Sequence, residues 1–415
     1  MSENEYEVAD EKSDDQENEN DLRPLDPTTI SEAVLWSTDW TTETILKQMI
    51  RGNIELNPKF QRRDAWTNER KSRFIESLIL GLPIPPIILA EAKGRKGSYI
   101  VIDGKQRLLS IRQFCAGQNE SERNGFKELR LKKIGIRALE GKNYGELKSD
   151  PFLDDFFRSF DTQAIRTLVI KNWPDESFLY TIYFRLNAGS LPLSPQELRQ
   201  ALHPGKFLDF VDEYTLENNA LRGILGIKGP DRRMKDTELL LRFYAFLNFV
   251  DIYAGNYKEF LDTACQTLND EWEDREEEIT MQLKELEAVI AATIEIFGER
   301  EAFSVAKIRG LFSNVFNRAV FDIMAYYFSD PEVRGRALIG KEKVKSKFIK
   351  LCIEDKEFVN SIGKSTKDLS SVVTRFSRWG ESISDLLDIE VLIPVVESGK
   401  IVLRETILKS AVTAV

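Results

Sequence analysis

The stretch Y-I-V-I-D-G-K-Q-R-L-L-S-I-R-Q-F, residues 99–114, sets an acid, a glycine, a lysine, a glutamine and an arginine in direct succession. An apolar, β-branched run precedes them and a segment with helical spacing follows, which predicts a buried strand, an Asp-Gly turn and an amphipathic helix. The first turn of a helix presents backbone N–H groups and a partial positive charge, so it suits an anion, phosphate above all. Gly104 would let the backbone approach such a guest closely. Lys105 would add a point charge, and Arg107 a planar guanidinium able to grip two oxygens. Asp103, at the end of the strand, has the chemistry to hold Mg2+ or to orient an attacking water. Gln106 completes the cluster. Standing alone, the same residues would equally make a tight turn with its cations in solvent.

Two other stretches argue against that bland alternative. F-Q-R-R-D-A-W, residues 60–66, places Gln61, Arg62 and Arg63 beside Phe60 and Trp66, a mixture suited to stacking on a base and gripping phosphate. Y-F-R-L-N-A-G, residues 183–189, ends a helical pattern in Arg185, Asn187 and a glycine, a second polar cluster. Glu76 offers a further carboxylate that could share a metal with Asp103.

The composition narrows the chemistry. The net charge of −10 is concentrated at the start of the chain, where residues 1–27 hold eleven acids and two bases. That tail is polar and short of large apolar groups, so disorder is the expectation, and the remaining chain is close to neutral. Cys115, Cys265 and Cys352 lie far apart without C-x-x-C spacing, and no apolar run approaches the roughly twenty residues of a membrane span. With no signal peptide at the start, the expectation is a reduced, cytoplasmic protein without structural disulfides. The single histidine, His203, excludes the usual HNH nuclease module and any H-E-x-x-H zinc site. It stands before a proline at a predicted helix end, where capping is its simplest occupation.

Stepping along the chain, W-T-T-E-T-I-L-K-Q-M-I-R-G predicts a short helix stopped near Gly52. T-N-E-R-K-S-R-F-I-E-S-L-I-L-G predicts another, with Thr67 as N-cap and Gly81 as stop. P-I-P-P-I-I-L-A-E, S-Y-I-V-I-D, L-R-L-K-K-I-G-I and A-I-R-T-L-V-I-K-N-W predict strands. From residue 176 the pattern turns helical, with Ser194 and Glu197 at capping-box spacing and Pro195 at the first helical position. Residues 304–328 also read as helix. The closing segment E-V-L-I-P-V-V-E-S-G-K-I-V-L-R-E-T-I-L has no assignment. The predicted organisation is an acidic tail at 1–27, an α/β domain at 28–175, a helical part at 176–330 and a C-terminal helical region at 331–415 with a possible closing strand segment.

Five ordered blocks then carry a resemblance. N-P-K-F-Q-R-R-D-A-W, I-E-S-L-I-L-G-L-P-I-P-P-I-I-L, V-I-D-G-K-Q-R-L-L-S-I, Y-F-R-L-N-A-G-S-L-P-L-S-P-Q-E-L-R-Q-A-L and R-R-M-K-D-T-E-L-L-L-R-F-Y-A-F resemble, in order, the GmrSD restriction-endonuclease N-terminal domain family. That family is also known as domain of unknown function 262, after its D-G-Q-Q-R motif, and the similarity runs from about residue 40 to about 330. It implies an α+β fold with a ParB/sulfiredoxin-like α/β core followed by a mostly helical C-terminal half. It also implies a nucleoside-triphosphate-hydrolysing part of a prokaryotic anti-phage, restriction-type system. The family motif falls on Asp103, Gly104, Lys105, Gln106 and Arg107, and its upstream F-Q-R on Phe60, Gln61 and Arg62. Asp103, Arg107 and Glu76 are the expected catalytic residues. Gln61, Arg62, Gly104, Lys105, Gln106 and Arg107 are the expected nucleotide contacts, and Mg2+ the expected cofactor, on Asp103. Lys105 stands where the family has its first glutamine. The HNH nuclease of larger relatives is missing, so the implied partners are a nucleoside triphosphate, DNA and a separate nuclease subunit. Two other readings stand beside this one. In one, a ParB-like metal-dependent nuclease uses Asp103 and Glu76. In the other, a non-enzymatic protein binds DNA or senses its modification through the base-rich stretches 59–73, 93–107 and 123–137.

Overall fold

The computed structural model describes residues 33–54, 56, 63, 65–117, 125–186, 194–217, 219–307 and 310–407. The acidic tail, Phe60, Gln61, Arg62 and Asn187 lie outside them. The chain divides into two compact units between Leu202 and His203.

The first unit is built on a four-stranded mixed sheet in the order β1-β4-β2-β3, with β1 at Val34–Thr41, β2 at Ile87–Glu91, β3 at Tyr99–Asp103 and β4 at Ala164–Lys171. β1 runs antiparallel to β4, β4 parallel to β2, and β2 antiparallel to β3. Alternation along the strands feeds two separate cores. Ile87, Leu89, Val101 and Ile165 face one side. There they pack with Ile45 of α1 (Thr42–Ile50), Ile75 of α2 (Asn68–Ile79) and Leu108 of α3 (Lys105–Phe114). α4 (Tyr144–Ser149) and α5 (Asp154–Thr162) close this core with Leu147 and Phe160. Ile88, Ala90, Ile102 and Ile170 face the other side, under Leu179 and Tyr183 of α6 (Glu176–Leu186) and Leu198 of α7 (Pro195–Leu202). Because α6 and α7 cover this face, the unit extends to residue 202 rather than ending at 175.

Two helix starts follow the sequence signals. The Thr67 side chain accepts from Arg70 N at the head of α2. At the head of α7, Ser194 Oγ accepts from Glu197 N while Ser194 N donates to the Glu197 carboxylate. One predicted strand is absent: residues 129–136 form an irregular segment. Its N–H groups donate to Lys142 O, Ser72 Oγ and the carboxylates of Glu140 and Glu76. β1, conversely, is a strand that the sequence pattern did not announce.

The second unit is helical. α8 (Lys206–Leu216), α9 (Ala220–Leu225), α10 (Lys235–Phe249), α11 (Tyr257–Asp270) and α12 (Trp272–Phe297) are followed by α13 (Arg318–Phe328) to α17 (Leu369–Leu387). The three between are α14 (Pro331–Ile339), α15 (Lys341–Glu354) and α16 (Lys356–Gly363). One core runs from Phe207 to Ile401, so no boundary falls near residue 330. The closing segment forms a hairpin of β5 (Leu392–Glu397) and β6 (Lys400–Glu405). Ser398 and Gly399 both adopt positive φ, as a two-residue hairpin turn of the right twist demands. The helix predicted over 304–328 begins only at Arg318; the residues before it hold an isolated bridge, Ala306–Phe312. The fold is α+β with a helical C-terminal half.

Candidate functional site

The Asp-Gly turn joins β3 to α3 at the rim of the sheet. Asp103 pairs with Ile88, Val101 with Leu89, and the register shifts between them, which turns Asp103 toward the side of the sheet that Ile88 occupies. Gly104 caps α3 with φ +102°, a left-handed conformation that favours glycine. A Cβ there would also meet Ile87 Cγ1 at 3.2 Å and Arg107 Nη2 at 3.3 Å. The glycine is therefore required twice, by its backbone angle and by the guanidinium folded over it.

Arg107 is not the solvent-facing cation that a first-turn position suggested. Its side chain is 8% exposed and its Nη2 donates to Asp103 Oδ2 at 2.5 Å, one helical turn apart. Lys105 is equally buried, and its Nζ donates to Glu197 Oε1 at 2.6 Å across 92 residues of sequence. Glu197 uses its other oxygen on Ser194 N. The Lys105–Glu197 pair thus holds the turn against α7, the Asp103–Arg107 pair closes the turn on itself, and both cations arrive with counter-ions. Asp103 keeps its second oxygen, Oδ1, open: it accepts from no described residue, and 22% of the side chain reaches solvent. Gln106 Oε1 is buried with no donor among the described residues, and on α7 so are Gln196 Nε2 and Gln200 Oε1 without partners. Unpaired amides in such a place are open to a polar guest.

The structure separates the other candidates from this turn. Glu76 Oε1 accepts from Gly135 N at 2.6 Å and Ile136 N at 2.8 Å, so its carboxylate anchors a loop. Arg63 is buried, and Trp66 lies beside Lys71 and Gln113 at the far end of α3. Roughly 13 Å of helix axis separate Gly104 from Gln113. Arg185 is exposed on the last turn of α6. All three cysteines are buried free thiols, and burial pushes the Cys352 thiol up to about 12, which leaves it unreactive.

Glu197 is the site residue that sequence reasoning placed only as a helix cap. Its Lys105 partner leaves no local trace, because the two positions meet only through the fold. The Asp103–Arg107 pair did leave one: acid and base stand four residues apart across a helix start.

No curated protein and no solved structure matches the chain. A family model does, that of the GmrSD restriction endonuclease, N-terminal domain, over residues 42–204. The match stops short of the 330 suggested by the sequence blocks and leaves R-R-M-K-D-T-E-L-L-L-R-F-Y-A-F outside it. It encloses the Asp-Gly turn, both ion pairs and the helix that carries Glu197. Residues 42–204 are thus similar to the GmrSD restriction endonuclease N-terminal domain family.

Proposed function

We propose that this chain is the nucleotide-binding, NTP-hydrolysing component of a restriction-type defence system acting on foreign DNA, working with a separate nuclease. The observation that carries this reading is the arrangement at Gly104. A helix N-terminus, two buried cations and one half-open carboxylate meet at a single turn. Phosphate oxygens suit the first turn of α3, and Arg107 and Lys105 are the groups that would answer them once they loosen from Asp103 and Glu197. A hard carboxylate oxygen with few protein neighbours suits Mg2+, which keeps most of its shell for water and substrate phosphates. Asp103 would hold it through Oδ1. Bound there, Mg2+ would neutralise phosphate charge, while Gly104 lets the backbone approach. The pairing of both cations with acids also makes the site selective. Only a guest with enough negative charge displaces both pairs.

The test is a panel of nucleoside triphosphates, with and without DNA and Mg2+, read for phosphate release and DNA cleavage together. The expected result is triphosphate-dependent phosphate release and intact DNA. Asp103→Asn should bind nucleotide and turn over at least tenfold more slowly. It tests the reading better than Arg107→Ala, because removing a buried arginine also disturbs the turn. Unchanged turnover in Asp103→Asn sinks the assignment. DNA cleavage by the chain alone, lost in that variant, would establish the metal-dependent nuclease instead.

A further inference from the structure

β1 forms one edge of the four-stranded sheet, and among the described residues no strand lies along its outer side. The ladder to β4 shows which backbone groups face outward. Thr42 N, one residue beyond the strand and still in register with β4, donates to Gln163 O at 3.0 Å. Hydrogen-bonded and non-hydrogen-bonded pairs alternate along an antiparallel ladder. Val34, Trp36, Thr38 and Trp40 therefore direct their N–H and C=O groups at β4. Those of Leu35, Ser37 and Asp39, with the N–H of Thr41, point away from the sheet.

Edge strands that stay single are blunted by lysine, proline or a bulge. β1 has none of the three: its sequence is V-L-W-S-T-D-W-T, and its register with β4 is unbroken from Val34 to Thr41. Its one charged residue, Asp39, accepts from Arg166 Nε at 2.7 Å inside the same sheet, so the edge carries no net charge to repel another. Val34, Leu35 and Trp36 are exposed, Leu35 by 66%. Unpaired backbone groups and apolar side chains along one line make a template for a further strand.

The strand also fits itself. A two-fold axis normal to the sheet keeps every side chain on its own face, so only residues of one face can meet across the new pair. Centred on Thr38, the pairing sets Ser37 opposite the partner's Asp39 and Leu35 opposite the partner's Thr41, through the outward-pointing groups. Trp36 then faces the partner's Trp40, and Thr38 the partner's Thr38, in non-hydrogen-bonded pairs, where side chains stand closest. Aromatic and threonine pairs are favourable cross-strand neighbours, and no acid stands directly opposite another.

We infer that β1 pairs antiparallel with β1 of a second copy of this chain, joining two four-stranded sheets into one. The occupant is a second copy because the strand complements itself in backbone polarity, in aromatic pairing and in charge. The pairing is independent of the reading of the Asp-Gly turn, which follows β3 at the other edge of the sheet.

The test is sedimentation equilibrium of the full chain from low to high micromolar concentration. Wild-type protein should be a dimer. Ser37→Pro removes an N–H that β4 does not use and should weaken association tenfold or more, with Trp36→Ala weakening it less. Circular dichroism checks that each variant is folded, and Trp36→Ala carries the test if Ser37→Pro is not. Ile339→Ala, at an exposed apolar position of the helical unit, should leave association unchanged. Oxidation reads the register. Thr38→Cys, opposite itself, should cross-link the two copies, while Leu35→Cys, at a more exposed position, should not. A monomeric wild-type protein overturns the proposal. So does a dimer that both Ser37→Pro and Trp36→Ala leave intact, or one that cross-links through Leu35→Cys as readily as through Thr38→Cys.

Discussion

Both units bury charge, and they bury it differently. In the helical unit Asp322 of α13 accepts from Arg242 Nε at 2.5 Å and Nη2 at 2.7 Å, and from Arg375 Nη2 at 3.0 Å. All three side chains are at most 1% exposed, and Arg242 also faces the Tyr257 ring at 4.7 Å. The three residues are far apart in sequence, so the cluster ties α10, α13 and α17 into one core. In the first unit the Asp103–Arg107 pair joins neighbours on one turn and leaves one carboxylate oxygen open to solvent. The lesson is that an arginine–aspartate pair is cement when sealed and becomes available chemistry when one lone pair is left outside.

The largest test of that contrast is Asp322→Ala. It removes the carboxylate that two buried guanidinium groups share, which costs about 3–5 kcal/mol. Asp103→Ala removes the acid from a pair that water reaches on one side only, and should cost less, about 1–3 kcal/mol, because Arg107 is itself buried. Chemical denaturation of the two variants side by side gives the comparison. Equal losses would mean that Asp103 is structural cement too.

Lys71 is the intermediate case, a buried cation of α2. Burial first, and the charge of Lys127 second, push its pKa from 10.5 down to about 8. Below about pH 8 the folded and unfolded chains both hold this proton, and folding carries the full cost of burying it. Between about pH 8 and 10.5 the folded amine has lost the proton while the unfolded one keeps it, so stability rises with pH. The gain is roughly 3 kcal/mol at most. Lys71→Met should erase it, and the wild-type-minus-variant difference in unfolding free energy, followed from pH 7 to 10.5, isolates it from other groups. A difference that stays flat shows that water reaches the ammonium.

The elements around the Asp-Gly turn were legible because each has a local cause. Apolar runs give β2 and β3, Gly104 gives the left-handed cap, and Thr67 and Ser194 begin their helices. β1 was not legible, since as an edge strand it exposes Val34, Leu35 and Trp36 and shows little alternation. The false strand at 129–136 has alternation, with Leu129 and Leu131 buried, but carboxylates rather than a neighbouring strand satisfy several of its N–H groups. Pattern records which side chains are buried and is silent on what pairs with the backbone. The same limit hid Glu197, whose capping box is local and whose Lys105 partner is not.

Glu76 therefore gives a sharper test of the site than of the fold. Glu76→Gln keeps an acceptor for Gly135 N and Ile136 N but loses its charge, which should cost roughly 1 kcal/mol. Phosphate release should be unchanged. A metal-dependent activity lost in this variant, with the melting curve near wild type, would join Glu76 to Asp103 in one metal site and move the chain to the nuclease reading.

The smallest expected effect belongs to the only histidine. His203 follows the last residue of α7, and its described contribution is made by the backbone: its carbonyl accepts from Asn269 Nδ2 at 3.0 Å, while Asn269 Oδ1 accepts from Leu208 N at 3.2 Å. Gly205 leaves the room for this arrangement, because a Cβ there would press on the Asn269 amide. Alanine at 203 keeps the carbonyl, and so keeps the bond that ties the start of α8 to α11. His203→Ala should therefore change stability by less than about 1 kcal/mol, as at most sites away from core packing and buried networks. Phosphate release should match wild type at every pH where both are folded. A folded His203→Ala protein that fails to turn over would show that the one imidazole in the chain carries a proton in the reaction. The site would then have to be redrawn from Asp103 toward the start of the helical unit.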